Sequence, residues 1–319
     1  MAPATASLSN CFTPLPLPPT VEAASFAVER ALSRLVRSTD GSCDGDGDTR
    51  CPRSLRRLLL CKGVLSSSDG SALVELGQTK VICSVRGPRP AGASSLSGGG
   101  AGDFQEGGIL RCEVRFAHGF GVRPETAAAA CHSSIDSAHT SGGAGGGPGQ
   151  TAAVAEDEVE LSRQLYDAIV PAVRLEELRK SAVDLYCSVL QADGSVLPAC
   201  VAAASIALAD ASIEMDDLIT CCGAAAIAEK GKGGGEDRED SLAPLALLAD
   251  PSEEETTLAV GTVTLAMLPN FREVTMWEMT GRLSQADSTA AIELCRDGCA
   301  TMHRLMRKCI VEGVTEGMV

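Results

Sequence analysis

Aromatic side chains are scarce in this 319-residue chain: one Trp, two Tyr and six Phe, 3% in all. A core must then come from small and aliphatic side chains at close backbone approach, because large rings are not there to fill space. Basic residues are short too. The 27 Lys and Arg stand against 42 Asp and Glu, a net charge of −15. That balance excludes a free-standing, sequence-independent nucleic-acid binder, which carries a basic face. Any RNA contact is local or comes through partners. No apolar run reaches the ~18 residues of a membrane span without an interrupting charge, so no membrane partner is expected. The opening MAPATASLSNCFTPLPLPP lacks the basic and apolar regions of a secretory signal. The fourteen cysteines form no CxxC pair and have no His at zinc spacing. Most of those beyond residue 60 sit in apolar runs such as KVICSV and LITCCGAAAI, which predicts buried, reduced thiols. No metal and no cofactor is expected.

What is present is 45% hydrophobic residues and 33 glycines, unevenly placed. Residues 1–57 read as a peripheral, low-complexity extension. Within it TVEAASFAVERALSRLVR carries a helical apolar face. Asp44, Asp46 and Asp48 imitate the start of a calcium loop, but Thr49 and Leu55 stand where such a loop needs Gly and Glu, so a solvated loop is expected. Residues 58–314 predict a single domain and 315–319 a tail. Gly-rich inserts are expected at 89–108, 124–152 (holding His132 and His139) and 229–241.

Inside the domain, SALVEL and TKVICSV predict an antiparallel pair. ILRCEVRF alternates Leu110, Cys112 and Val114 against Arg111, Glu113 and Arg115, a strand pattern. EDEVELSRQLYDAIVPAV predicts a helix with acids in its first turn. A strand KSAVDLYCSVLQAD, a turn and an alanine-rich helix at 199–211 follow. Then come strands DLITCCGAAAIA and LAPLALLADP, an acidic turn SEEETT, and strands LAVGTVTLAMLP and EVTMWEMTG. The last helix, 285–311, has Ser284 as its N-cap and a core stripe of Ile292, Cys295, Cys299, Met302, Met306 and Ile310. Met276 and Trp277 are expected in the core or at a subunit interface, and no partner pattern surrounds His118 or His303. The order predicts an α+β fold, mixed sheets packed with helices. One feature is unusual. Strand, turn and small-residue helix is how small-anion sites are built. Yet Val196, Leu197 and Pro198 occupy the turn, with no Lys, Arg or His.

Three stretches carry a resemblance: DGSALVELGQTKVICSVRGPRP (69–90), ELSRQLYDAIVPAVRLEEL (160–178) and LQADGSVLPACVAAASIALADASIEMDDLI (190–219). They resemble the RNase PH-like family, more narrowly the RNase PH-like ring subunits of the RNA exosome. LADPSEEETTLAVGTVTLAMLP is similar to a ring-subunit type with an acidic run and a plain apolar strand where active members carry catalytic aspartates. The resemblance implies an RNase PH-like fold. In active members inorganic phosphate attacks the 3′ phosphodiester of RNA. That reaction needs cations to bring two anions together, and a carboxylate pair for acid–base work or a divalent ion. At the matching positions this chain has Val196 and Leu197 for a Thr and Arg that grip phosphate. It has Asp157 for an Arg that holds RNA, and Thr256 and Thr262 for two aspartates. Glu253, Glu254 and Glu255 lie nearby. The resemblance therefore implies a non-catalytic structural subunit supporting 3′-to-5′ RNA processing and degradation. Its implied partners are the other RNase PH-like ring subunits, RNA-binding cap subunits, and RNA through the assembled complex, in nucleus, nucleolus and cytoplasm. Two alternatives stand beside it: an active phosphorolytic exoribonuclease, and an RNA-path element without catalysis. For the latter Arg86, Arg89, Arg111, Arg115 and Arg123 are the candidates.

Overall fold

Period-two burial organises the first strands. In Thr79–Pro90 the side chains of Thr79, Val81, Cys83 and Val85 are buried while Lys80, Ile82, Ser84 and Arg86 face the other way. The computed structural model of the chain describes residues 52–90, 107–117, 148–228 and 245–317, all within one compact unit, Cys51–Val319. The first sheet holds β1 (Leu58–Lys62), β2 (Gly70–Leu76), β3 (Thr79–Pro90), β4 (Ile109–Phe116), β5 (Ser181–Gln191) and β10 (Val314–Gly317). Its order is β10-β1-β2-β3-β5-β4, antiparallel except where β4 runs parallel to β5. The second sheet holds β6 (Thr220–Ala228), β7 (Leu245–Ala249), β8 (Ala259–Leu268) and β9 (Glu273–Gly281), in the antiparallel order β7-β6-β8-β9.

Among the described residues four α-helices join them: α1 (Pro148–Ile169), α2 (Val196–Asp210), α3 (Glu253–Thr257) and α4 (Gln285–Glu312). Helix α2 is the centre of this unit. Every residue from Val196 to Leu208 is buried, and the helix packs on β2 and β3 of one sheet and β6 of the other. Small side chains are what permit this. A Cβ at Gly70 of β2 would lie 2.3 Å from the Ala207 carbonyl oxygen, so strand and helix backbones touch. On α4, Cys295, Cys299, Met302 and Met306 are buried as the stripe predicts, with Ile292 and Ile310 at its half-buried edge. The Ser284 side chain caps the helix by accepting the Asp287 N–H.

Several boundaries differ from the sequence reading. Helix α1 begins at Pro148, inside the expected insert, so its acids lie in the interior and not in the first turn. Proline suits a first helical position and the alanine-rich residues after it prolong the helix. Helix α2 starts at Val196, so Val196, Leu197 and Pro198 form its first turn rather than a loop. SEEETT is the short helix α3, because Ser252 and Glu255 form a capping box. The expected tail contributes β10, paired antiparallel with β1, after Gly313 (φ 88°) turns the chain out of α4. At the other end, Leu55 and Arg56 of the expected extension are buried. Arg89 and Pro90 belong to β3, and the Gly108 N–H donates to the Leu175 carbonyl at 2.7 Å, so both ends of the first insert are ordered parts of the domain. The helical stretch before residue 38, Asp44, Asp46, Asp48, His118, Arg123, His132 and His139 lie outside the described residues.

Candidate functional site: a closed anion cradle

Strand β5 ends at Gln191, and Asp193, Gly194 and Ser195 lead into α2. Ser195 is the N-cap in a left-handed conformation (φ 48°, ψ 39°) and its side chain caps nothing. Instead its hydroxyl donates to the Pro251 carbonyl at 3.1 Å. Gly194 (φ 70°) abuts the loop after β7: a Cβ there would lie 2.5 Å from the Pro251 oxygen and 2.7 Å from the Glu253 nitrogen. The two loops touch backbone to backbone, and only glycine fits that approach. Thr79 of β3 ties the turn from the other side. Its hydroxyl donates to the Gly194 carbonyl at 2.7 Å and accepts the Asp193 N–H at 3.1 Å.

A cation does serve this turn, but from beneath. Arg56 is buried and its guanidinium is divided among the two loops. Nε and Nη2 each donate to the Asp250 carboxylate at 3.0 Å. Nη1 donates to the Asp193 carbonyl at 2.6 Å and to its carboxylate at 3.2 Å, and Nη2 reaches the Gly194 carbonyl at 3.3 Å. These bonds use donors that a phosphate would need. The opposite wall is apolar: Val196 and Leu197 are 8% and 6% exposed and belong to the core.

The remaining positions implied by the resemblance are neutral or occupied. The Thr256 hydroxyl donates to the Ser252 carbonyl at 2.8 Å. The Thr262 hydroxyl on β8 lies 2.6 Å from that of Thr280 on β9. Glu255 folds back so that its carboxylate accepts the Ser252 N–H at 2.8 Å. Asp157 sits half-buried on α1. Two threonine hydroxyls do not fit a divalent ion as a carboxylate pair does. Among the described residues no cluster of three or more His, Cys, Asp and Glu is arranged for a metal. Every described cysteine is unbridged. A hydrogen bond with Cys222, and then burial, hold the Cys295 thiol far above the ordinary range; burial does the same for Cys299 and pushes Cys112 up to about 12. No described helix is long and apolar enough to cross a membrane.

Of the candidate arginines, Arg86, Arg89, Arg111 and Arg115 lie apart from the cradle, on the face of the six-stranded sheet that α2 does not cover. Arg86 of β3 and Arg111 of β4 are the register partners of Asp184 on β5. Arg89 forms an ion pair with Asp184, and Arg111 Nη1 lies 3.9 Å from it. Arg115 is held by Glu113 at 2.8 Å and Glu158 at 2.9 Å. A groove of about 470 Å³ runs past Arg111, Arg115, Asp184 and Tyr186. Trp277 is not core: it is 57% exposed on β9, an edge strand, whereas Met276 is half-buried and packs on the core. Sequence reasoning missed Arg56. The signal was an LRR triplet just ahead of the apolar LLL of β1, in a segment read as peripheral.

Known proteins similar to this chain give its family. The 3′ exoribonuclease family, domain 1 (RNase PH), matches residues 54–214. The chain is 31% identical over 272 residues to exosome complex component MTR3 of Homo sapiens, covering 82% of this chain and 85% of that protein. It is 27% identical over 268 residues to exosome complex component Rrp41 of Cenarchaeum symbiosum (strain A), covering 84% and 89%. Two solved structures share the fold. Rice Rrp46 aligns with a TM-score of 0.58 at 19% identity, over 84% of this chain and 100% of its own. An Archaeoglobus fulgidus exosome with RNA bound to the active site aligns at 0.58 and 17%, over 88% and 98%. The chain belongs to the RNase PH family of 3′ exoribonucleases and has its α+β fold.

Proposed function

We propose that this chain is a non-catalytic structural subunit of an RNA exosome ring, supporting 3′-to-5′ RNA processing and degradation through its partners in nucleus, nucleolus and cytoplasm. The observation that carries the reading is the cradle itself: its backbone is kept, its one cation is spent on Asp250, Asp193 and Gly194, and its wall is Leu197. Phosphorolysis needs two anions neutralised side by side, and each charge-assisted hydrogen bond contributes roughly 1.5–3 kcal/mol. Likeness to exosome components supports membership of the complex. Strand β9 supports assembly, because an edge strand with Val274, Trp277 and Met279 exposed asks for a cover. Its cover would be a neighbouring RNase PH-like ring subunit, and RNA-binding cap subunits complete the proposed complex.

A second reading, an active phosphorolytic exoribonuclease, draws on the archaeal relatives and on the archaeal exosome that holds RNA at its active site. Thr256 and Thr262 in place of a carboxylate pair weigh against it. One experiment separates them. The purified chain is incubated with a poly(A) oligonucleotide in phosphate buffer, and released nucleoside diphosphate is measured. No release is expected. Release that disappears in Glu255→Gln would overturn the non-catalytic reading. Affinity purification of the tagged chain should bring down ring subunits in equal amounts.

A further inference from the structure

The open face of the six-stranded sheet carries a transverse row of charge. Arg86, Asp184 and Arg111 are direct neighbours on three adjacent strands, β3, β5 and β4, and project on the same side. Asp184 is buried, capped by Arg89 through one oxygen; its other oxygen accepts no hydrogen bond and lies 3.9 Å from Arg111 Nη1, too far for one. Arg89 and Arg111 thus share one carboxylate and Arg86 stands beside it in the same row, three positive charges to one negative in this row of a chain whose net charge is −15. Arg86 is exposed and its side chain makes no hydrogen bond or ion pair among the described residues. Arg111 is half-exposed. Strands stand about 4.8 Å apart, so these two arginines rise about 10 Å from each other with Asp184 between, a span that two guanidiniums close around a single phosphate.

The next row on the same face is Ser84, Tyr186 and Glu113. Tyr186 is 37% exposed and lines the 470 Å³ groove beside Arg111. An aromatic ring one row from a phosphate grip, on an open sheet face, is the arrangement that holds an unpaired nucleotide: base on the ring, phosphate on the guanidiniums. The row beyond holds Arg115, already paired with Glu113 and Glu158, so the free charge is concentrated at Arg86 and Arg111.

We propose that Arg86, Arg111 and Tyr186 form a single-stranded RNA contact site, with Asp184 positioning Arg89 and Arg111 and with no role in catalysis. It rests on the proposed function only in choosing RNA among polyanions. Ring membership is read separately by co-purification, so the two can fail independently.

The test is anisotropy of a labelled single-stranded RNA with the full chain, repeated on the ring complex that co-purifies with it. Arg86→Glu with Arg111→Glu should weaken binding about tenfold or more and flatten its salt dependence. Tyr186→Ala should weaken it about tenfold with the salt slope unchanged. Arg86→Lys with Arg111→Lys should keep most of the affinity, which a folding defect would not allow. Arg304→Glu, exposed on α4 and outside this groove, should change nothing. Affinity unmoved by the Glu pair, or an equal fall in Arg304→Glu, would overturn the site. A polyglutamate peptide that binds through both arginines and ignores Tyr186 would reassign it to an acidic protein segment.

Discussion

Arg56 and Asp250, 194 residues apart, face each other with two side-chain hydrogen bonds of 3.0 Å and a third, at 3.1 Å, from the Arg56 backbone N–H to the same carboxylate. Arg56 precedes β1 and Asp250 follows β7, so this pair ties the two sheets at their ends and holds the Asp193–Ser195 turn between them. Asp250 (φ 51°) and Ser195 (φ 48°) both keep left-handed backbone without being glycine, a strain that persists only where the surroundings over-determine it.

Removing one partner should therefore be costly. Arg56→Ala leaves the buried Asp250 and two carbonyls short of donors, and is expected to lower stability by about 3–5 kcal/mol. Arg56→Lys should recover part of this but not all, since an ammonium cannot fork onto a carboxylate. Denaturant midpoints of the three proteins check the ranking; equal midpoints for Arg56 and Arg56→Ala would refute the clamp.

Restoring one charge should not restore chemistry. Leu197→Arg places a guanidinium in the buried first turn of α2, and is expected to cost about 3 kcal/mol or more. No phosphate-dependent nucleotide release should appear, because neutral threonines remain at 256 and 262. Paired melting and turnover assays decide it. A gain of phosphorolysis from this single change would mean that the carboxylates come from elsewhere, Glu253 or Glu254 among them.

The sheet-and-helix order was legible because each long element announces itself locally: period-two burial in β3, a long β-branched and apolar run in β5, a 3–4 stripe on α4, small residues along α2. So was the loss of charge at Leu197 and Thr262, which needs only residue identity. What stayed hidden is set by contacts between distant segments. Arg56 looks like one more surface arginine until Asp250 and Asp193 stand beside it. β10 is four residues that become a strand only because β1 offers an edge. The grouping of Arg86 with Arg111 depends on β5 lying between β3 and β4, a sheet order that spacing along the chain does not reveal.

The β9 edge offers a prediction with opposite signs for folding and assembly. Trp277→Glu with Met279→Glu adds charge where both side chains are already exposed. Stability of the chain should move by no more than about 0.5 kcal/mol per site. Recovery of ring subunits with the tagged variant should fall sharply, since charge at the centre of an apolar interface is strongly disfavoured. Undiminished recovery would remove β9 from the proposed interface.

His303 supplies a pH test. On α4 it is buried, its Nε2 3.6 Å from the Asp217 carboxylate and without a hydrogen bond. Burial lowers its pKa from the ordinary 6.5; Asp217 opposes that and Arg307 reinforces it. Asp217 has little to spare, since it accepts N–H bonds from Leu218 and from both the backbone and side chain of Asn270, each at 2.8 Å. With the folded value below the unfolded one, the unfolded chain binds more protons as pH falls through 6.5, so acidification favours unfolding. Urea midpoints should fall between about pH 7 and pH 5.5, a window above most carboxylate titration. His303→Gln should flatten that slope while leaving the rest of the profile in place. A variant that keeps the wild-type slope would assign the acid sensitivity to another group.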